Sequence, residues 1–258
     1  DDGNVVHVDG SIDPIRDIEI IEAELIIADF QMMETRLGRV QKAARTDKAI
    51  AATLPVFEAL LNHLGEGHMA YKFEDKDSEQ GRAIFKESQF LTDKKVIYCC
   101  NVDEDGLLED NDYVKSVQAY AAERGADIVK ICAKMEEDLN GMSDEEREEF
   151  LKEYGVKESG LDQIVHTGYH TLGLISYLTQ GPKETRAWTI YRGDTAPKAA
   201  GVIHTDFERG FIRAQVMAYD DFVEKGGEAP CREAGLLRTE GKEYIVKDGD
   251  VIEFLFNV

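Results

Sequence analysis

Val96-Ile97-Tyr98-Cys99-Cys100-Asn101-Val102-Asp103-Glu104-Asp105-Gly106 is the stretch that decides how this chain is read. An uninterrupted apolar run gives way to a polar, acidic turn that ends in glycine. Such a run suits a strand buried on both faces of a parallel sheet. A helix follows: Asn111 opens it, Tyr113, Val114, Val117, Tyr120 and Ala121 recur at helical spacing, and Gly125 closes it. Residues 126–132 form a second apolar strand that runs into Cys132-Ala133-Lys134. Strand, loop, helix, strand is a βαβ unit. Open α/β sheets bind ligands at the carboxyl ends of their strands. The turns at Asn101 to Glu104 and at Cys132-Ala133 are therefore candidate binding loops, with an ordinary strand exit as the other reading of each.

Upstream, Val5-Val6-His7-Val8 reads as a short strand closed by Asp9-Gly10-Ser11. Asp13-Pro14 marks a helix start, with Asp13 as N-cap and Pro14 in the first turn. Ile18, Ile21, Leu25, Ala28, Met32 and Leu37 form its expected apolar face, Asp29 falls among the intervening charged positions, and the helix reaches about residue 45. A second helix is predicted over 47–63, with Pro55 kinking it or moving its start. The two make an antiparallel hairpin, and a third helix is expected over 78–87. Downstream, residues 135–153 read as acidic helix, with a capping box at Ser143-Asp144-Glu145-Glu146. A further helix is predicted over 161–178, and Gly181-Pro182 reads as a linker. The pattern then turns to β: strands over 185–191 and 211–217, a helix over 195–203, and a closing hairpin of 244–246 with 251–256. One main helix across a small sheet is a ubiquitin-like arrangement.

The 258 residues carry 30 basic and 52 acidic side chains, a net charge of −22. That excludes a broad electrostatic grip on nucleic acid. The charge is uneven: residues 1–182 are at −19 and residues 183–258 at −3, so the last part can still touch RNA locally. No apolar run approaches the roughly 20 residues of a membrane span. Four cysteines, two of them adjacent, do not make a disulfide framework and fit a reducing, cytoplasmic compartment. The chain starts Asp1-Asp2-Gly3 without Met, so an N-terminal part is expected to be missing. His166 and His170 share a helix face but have no third metal ligand nearby in sequence, and a surface or partly packed pair is the better reading. The acidic cluster over 136–149 reads as a solvated helix face. Trp188, Phe207 and Phe211 supply either a stacking surface for RNA or β-core positions.

Several long stretches together resemble one family. They are Asp13-Pro14-Ile15-Arg16-Asp17-Ile18-Glu19, the motif Asn101 to Gly106, Lys183-Glu184-Thr185-Arg186-Ala187-Trp188-Thr189-Ile190, residues 203–214 and Tyr244-Ile245-Val246-Lys247-Asp248-Gly249-Asp250. The family is the YchF/Obg-like ATPases, P-loop proteins of the translation-factor class. The resemblance implies an α/β fold: a partial P-loop GTPase-like domain with an inserted α-helical hairpin and a C-terminal TGS domain of β-grasp, ubiquitin-like fold. Its boundaries would be 1–14 for the end of the first nucleotide-domain part, 15–90 for the insertion, 91–180 for the remainder and 181–258 for TGS. Asn-Val-Asp-Glu replaces the Asn-Lys-x-Asp of GTPases, which implies that ATP is accepted, with GTP left open. The resemblance puts Val102 backbone against the adenine, makes Asn101 the holder of the loop, and brings in Glu104 as the variant position. Cys132 and Ala133 fall on the second base-side loop. No G-x-x-x-x-G-K-[ST] occurs in the 258 residues. The family's phosphate loop, and the Ser/Thr that holds Mg²⁺, lie upstream of Asp1. Hydrolysis is thus expected of the intact protein only, with no catalytic residue or metal ligand here. Ribosome or RNA would be met through the hairpin and TGS parts. The rival expectation is a nucleotide-independent interaction module built from those same two parts. Oligomeric state is left open.

Overall fold

A computed structural model describes residues 12–181 and 184–257. The strand read at residues 5–8 and the proline of the Gly181-Pro182 linker lie outside the described residues. The chain divides into two compact units, Asp1–Ile164 and Val165–Val258.

In the first unit α1 (Pro14–Ala43) is a 30-residue helix whose N-cap, Asp13, accepts a hydrogen bond from Arg16 N at 3.1 Å. Its buried positions are Ile26, Asp29 and Met33, whereas Ile21 and Ala28 are exposed. The expected face is thus wrong by one position. Hydropathy gives no weight to a carboxylate that satisfies a neighbouring segment, and Asp29 accepts from Leu91 N at 2.9 Å, Thr92 N at 2.8 Å and Thr92 Oγ1 at 2.7 Å. The single helix expected over 47–63 is two, α2 (Lys48–Ala51) and α3 (Leu54–Gly65). Pro55 sits in the first turn of α3, where a missing N–H costs nothing. Phe57, Leu60 and Leu64 share one core with Ile26, Met33, Phe90 and with Ile84 and Phe85 of α4 (Glu79–Ser88).

The βαβ part follows. β1 (Ile97–Asn101) leads into α5 (Glu104–Leu108) and α6 (Asp112–Arg124), and β2 (Asp127–Ile131) pairs with β1 in parallel, Ile97 opposite Asp127 and Asn101 opposite Ile131. Contrary to the expectation from its composition, β1 is not buried on both faces: Val96 precedes it, and both Val96 and Cys99 are exposed. Tyr98 turns toward α6, where its ring meets Tyr120 edge-on at 5.9 Å, and the two-residue period turns Cys99 the other way. Tyr113 of α6 is likewise exposed, not inward. α7 (Ala133–Leu139) and α8 (Asp144–Glu153) come next, the latter opened by the Ser143–Glu146 capping box. α9 (Gly160–Leu172) contains the division between the units.

α9 stops at Leu172 and does not continue to 178. Gly173 adopts φ +67°, which a side chain disfavours, and Leu174–Gln180 is a strand, β3, with Ile175 and Tyr177 buried by alternation. β4 (Thr185–Tyr191), α10 (Ala196–Ile203), α11 (Thr205–Arg209), β5 (Phe211–Ala218), α12 (Tyr219–Lys225), α13 (Glu228–Glu233), β6 (Arg238–Glu240) and β7 (Asp250–Phe256) complete the second unit. The sheet order is β4-β3-β7-β5-β6, with β3 and β7 parallel. The sheet therefore starts upstream of residue 181. The closing hairpin does not form. Asp250 accepts from Lys247 N at 2.9 Å and Tyr244 OH at 2.7 Å, while Val246 N bonds Asp194 O at 3.1 Å. The Asp250 bonds tie this segment to the start of β7, and the Val246 bond, with Ala196 N donating to Tyr244 O at 2.8 Å, ties it to the start of α10. Phe211 belongs to the core with Tyr177, Ala199 and Ile252. Trp188 packs at its edge with Nε1 donating to Thr179 Oγ1 at 2.8 Å, and Phe207 stacks on Phe256 at 3.8 Å. No helix among the described residues is long and apolar enough to cross a membrane.

Candidate functional site

Because β1 and β2 run parallel, their carboxyl ends emerge side by side. Val102 N donates to Ile131 O at 2.8 Å and extends the pairing one residue past β1. The chain then turns, and Asp103 caps α5 by accepting from Gly106 N at 2.9 Å. Gly106 must be glycine for reasons of space: a Cβ there would lie 2.8 Å from Val102 Cβ. Asn101 is exposed, and its Oδ1 accepts from Ala133 N, the first residue of α7, at 3.1 Å. One side chain thus ties the two strand-end loops together. Glu104 Oε1 pairs with Lys134 Nζ at 2.8 Å across the same gap. The Lys134 ammonium holds the Glu104 carboxyl below its ordinary range, and the carboxylate raises Lys134 in turn.

All five residues singled out from the sequence come to this end of the sheet, but not in equal roles. Cys132 is buried, with its side chain among Met135, Leu139 and Leu151. Any contact it makes with a ligand is through its backbone. The Val102 and Ala133 amides are already spent inside the protein. What remains at the surface is the Asn101 Nδ2 donor, loop carbonyls, the half-buried Val102 side chain and an exposed ion pair that can exchange partners. That set suits the edge of a flat heterocycle bearing an amino group. It holds no nucleophile–base pair.

Lys130 escaped the sequence reading. It donates to the carbonyls of Gly106 at 3.1 Å and Leu107 at 3.0 Å and to Asp110 Oδ1 at 2.6 Å. Gln118 Nε2 holds the other Asp110 oxygen at 2.8 Å, and the bonds from Lys130 and Gln118 push the Asp110 carboxyl down. A lysine inside an apolar strand was the signal: such a cation stays only where it has partners. Burial raises the neighbouring Cys100 thiol, with Cys99 and Asp110 adding to the effect. Elsewhere, Glu136 accepts from Gly160 N at 2.6 Å and Leu161 N at 3.4 Å, so this member of the acidic cluster satisfies the start of α9 and is not simply solvated. His204 Nδ1 accepts from Asp206 N at 3.2 Å and caps α11. Among the described residues no three His, Cys, Asp or Glu side chains converge as a metal site.

Residues 174–257 match the family YchF-GTPase_C, described as a protein of unknown function (DUF933). The chain is 48% identical over 256 residues to the ribosome-binding ATPase YchF of Escherichia coli O157:H7, covering 99% of this chain and 70% of that one. It is 44% identical over 260 residues to the protein of that name from Bacillus subtilis, covering 100% and 70%. A solved structure of the Schizosaccharomyces pombe YchF GTPase superposes with a TM-score of 0.79 at 35% identity, over 99% of this chain and 69% of that one. A GTP binding protein from Pyrococcus horikoshii shares the fold alone, at TM-score 0.58 and 16% identity over 95% and 72%.

Proposed function

The chain belongs to the YchF family, and from that membership we propose that it is the base-holding and partner-contacting part of a cytoplasmic, ribosome-associated ATPase. The observation that carries the base-holding role is the Asn101–Ala133 bond, which fixes two loops at the carboxyl ends of parallel strands. Asn101 keeps both loops in register and offers Nδ2 to a ring nitrogen. The carbonyls beside Val102 accept from an exocyclic amine, and the Val102 side chain lies along the ring. Glu104 stands where a guanine-selecting Asp would be. Its pairing with Lys134 takes it away from guanine recognition, which favours ATP over GTP.

Bound ATP with Mg²⁺ would supply the γ-phosphoryl group and its charge neutralisation for attack by water. These 258 residues contain no G-x-x-x-x-G-K-[ST], so we assign the phosphate and Mg²⁺ contacts to sequence beyond them, and hydrolysis to a polypeptide that holds both. We read residues 15–90 as the inserted helical domain and 91 onward as the remainder of a P-loop domain. The last unit is a TGS domain starting at β3. Its first and last strands, adjacent and parallel, with α10 packed into the core, support a β-grasp, ubiquitin-like reading. Ribosome or RNA would be met through the helical and TGS parts.

The test is a titration with ATP and GTP of this chain and of a longer polypeptide that includes a phosphate loop. ATP affinity is expected in the longer one, weakened about tenfold by Asn101→Ala. Nucleotide-indifferent ribosome co-sedimentation, with no ATP affinity in either, would instead establish the interaction-module reading.

A further inference from the structure

Glu22 lies seven residues before Asp29, which puts both carboxylates on one side of α1, two turns apart. Asp29 works inside the helical part: it binds Leu91 and Thr92 to α1, and the adjoining Asp93 pairs with Lys76. Glu22 reaches out of the helical part altogether. Its Oε1 accepts from Tyr98 OH of β1 at 2.7 Å, and its Oε2 from Tyr120 OH of α6 at 2.9 Å. Arg124 Nε stands 3.7 Å from the same carboxylate, with its guanidinium 3.4 Å above the Tyr120 ring.

Among the described residues, α1 meets α6 beside this cluster, and no shared apolar core joins the two parts. The buried helical core contains no residue of β1, β2 or α6. Beside Glu22, where apolar packing would be expected, there is a cleft of about 430 Å³ lined by Glu19, Ala23, Ile26, Leu64, His68 and Tyr120. Among the described residues the chain crosses between the parts at 94–96, where Lys94, Lys95 and Val96 are exposed.

We propose that Glu22, Tyr98, Tyr120 and Arg124 form a reversible clasp that holds the helical insertion against the strand leading into the Asn101 loop, and that the insertion swings on the exposed crossing at residues 94–96 when the clasp opens. Phenol–carboxylate bonds exchange one for one with bonds to water. An apolar seam would have to expose its whole area to do the same. The cleft gives α1 room to move. Tyr98 lies three residues before Asn101 on the same strand, so the clasp and the candidate loop share one rigid element. The clasp needs no nucleotide to operate.

The experiment is a spin-label distance measurement on the 258-residue chain without nucleotide. Labels go at two exposed sites, E24C on α1 and E123C on α6, with C99S and C100S removing competing thiols. The closed clasp gives one narrow distance. Y98F/Y120F removes two hydroxyls and keeps both rings, and its distribution is expected to lengthen and broaden, with the open population about tenfold larger. Far-UV circular dichroism should stay unchanged. If that double variant loses helical signal, E22Q decides, because it keeps the size of Glu22 and removes its charge. A distribution unchanged in a folded Y98F/Y120F or in E22Q would overturn the clasp.

Discussion

Asp29 is the residue on which the helical part turns. Three donors, two of them backbone amides, converge on its buried carboxylate. Asp29→Ala strands all three and should cost about 3 kcal/mol in chemical denaturation. Asp29→Asn keeps one acceptor oxygen and should cost less. The tyrosines give a second residue-scale test. Burial, together with the Glu22 carboxylate, pushes Tyr98 well above the ordinary phenol range and Tyr120 up to about 12. Burial and Asp250 push Tyr244 up to about 12, and burial raises Tyr177, whose hydroxyl donates to Ala199 O at 2.9 Å. A phenol whose pKa is raised on folding binds its proton more tightly in the folded state. The stability it contributes is complete below about pH 10, the unfolded value, and is lost as pH rises through the folded values. In a spectrophotometric titration these four of the ten tyrosines should ionise late, together with alkaline unfolding. Ten phenols titrating alike in native and denatured protein would contradict these environments. Asp29 also marks a limit of sequence reading. A periodic pattern treats every carboxylate as solvated, and only the fold brings residues 91 and 92 back to this one.

At the scale of elements, the close approach of α5 to the Asn101 loop is the feature most open to test. Gly106→Ala would drive a methyl into Val102 and should cost about 1–3 kcal/mol. In the longer polypeptide it should also weaken ATP binding, whereas an alanine at exposed Gly38, which has nothing within 4 Å, should leave ATP binding alone. The elements that announced themselves in the sequence were those with local punctuation: Asp13-Pro14, Ser78, Asn111 to Gly125, and the Ser143 box all fix helix ends through nearby atoms. The elements misread lacked it. Residues 174–178 continue an amphipathic pattern that fits helix or strand, and the choice falls to Gly173 and to pairing with β4. Residues 244–246 look like half of a hairpin, but Asp250 and Asp194 claim their hydrogen bonds. The loop positions Asn101 and Ala133 were legible as strand exits. The bond between them, and the support from Lys130, depend on the parallel pairing, which no local pattern encodes.

For the whole molecule, the charge of −22 is the main obstacle to a ribosomal partner. The proposed attachment must then be local, through basic residues of the nearly neutral last part such as exposed Arg209 and Arg213. Replacing both by alanine should weaken ribosome co-sedimentation. It should also flatten the salt dependence, by about one unit of log–log slope for each phosphate left without its arginine. A slope that does not change would move the attachment elsewhere. Whether a purine sits at the Asn101 loop can be read by photo-crosslinking. A 2-azidoadenine nucleotide would be bound to the longer, phosphate-loop-bearing polypeptide, irradiated, and the labelled peptide sequenced. Label is expected within residues 101–107 or 131–135, abolished by competition with ATP. Competable label confined to any other segment would place the purine elsewhere and overturn the assignment of these loops.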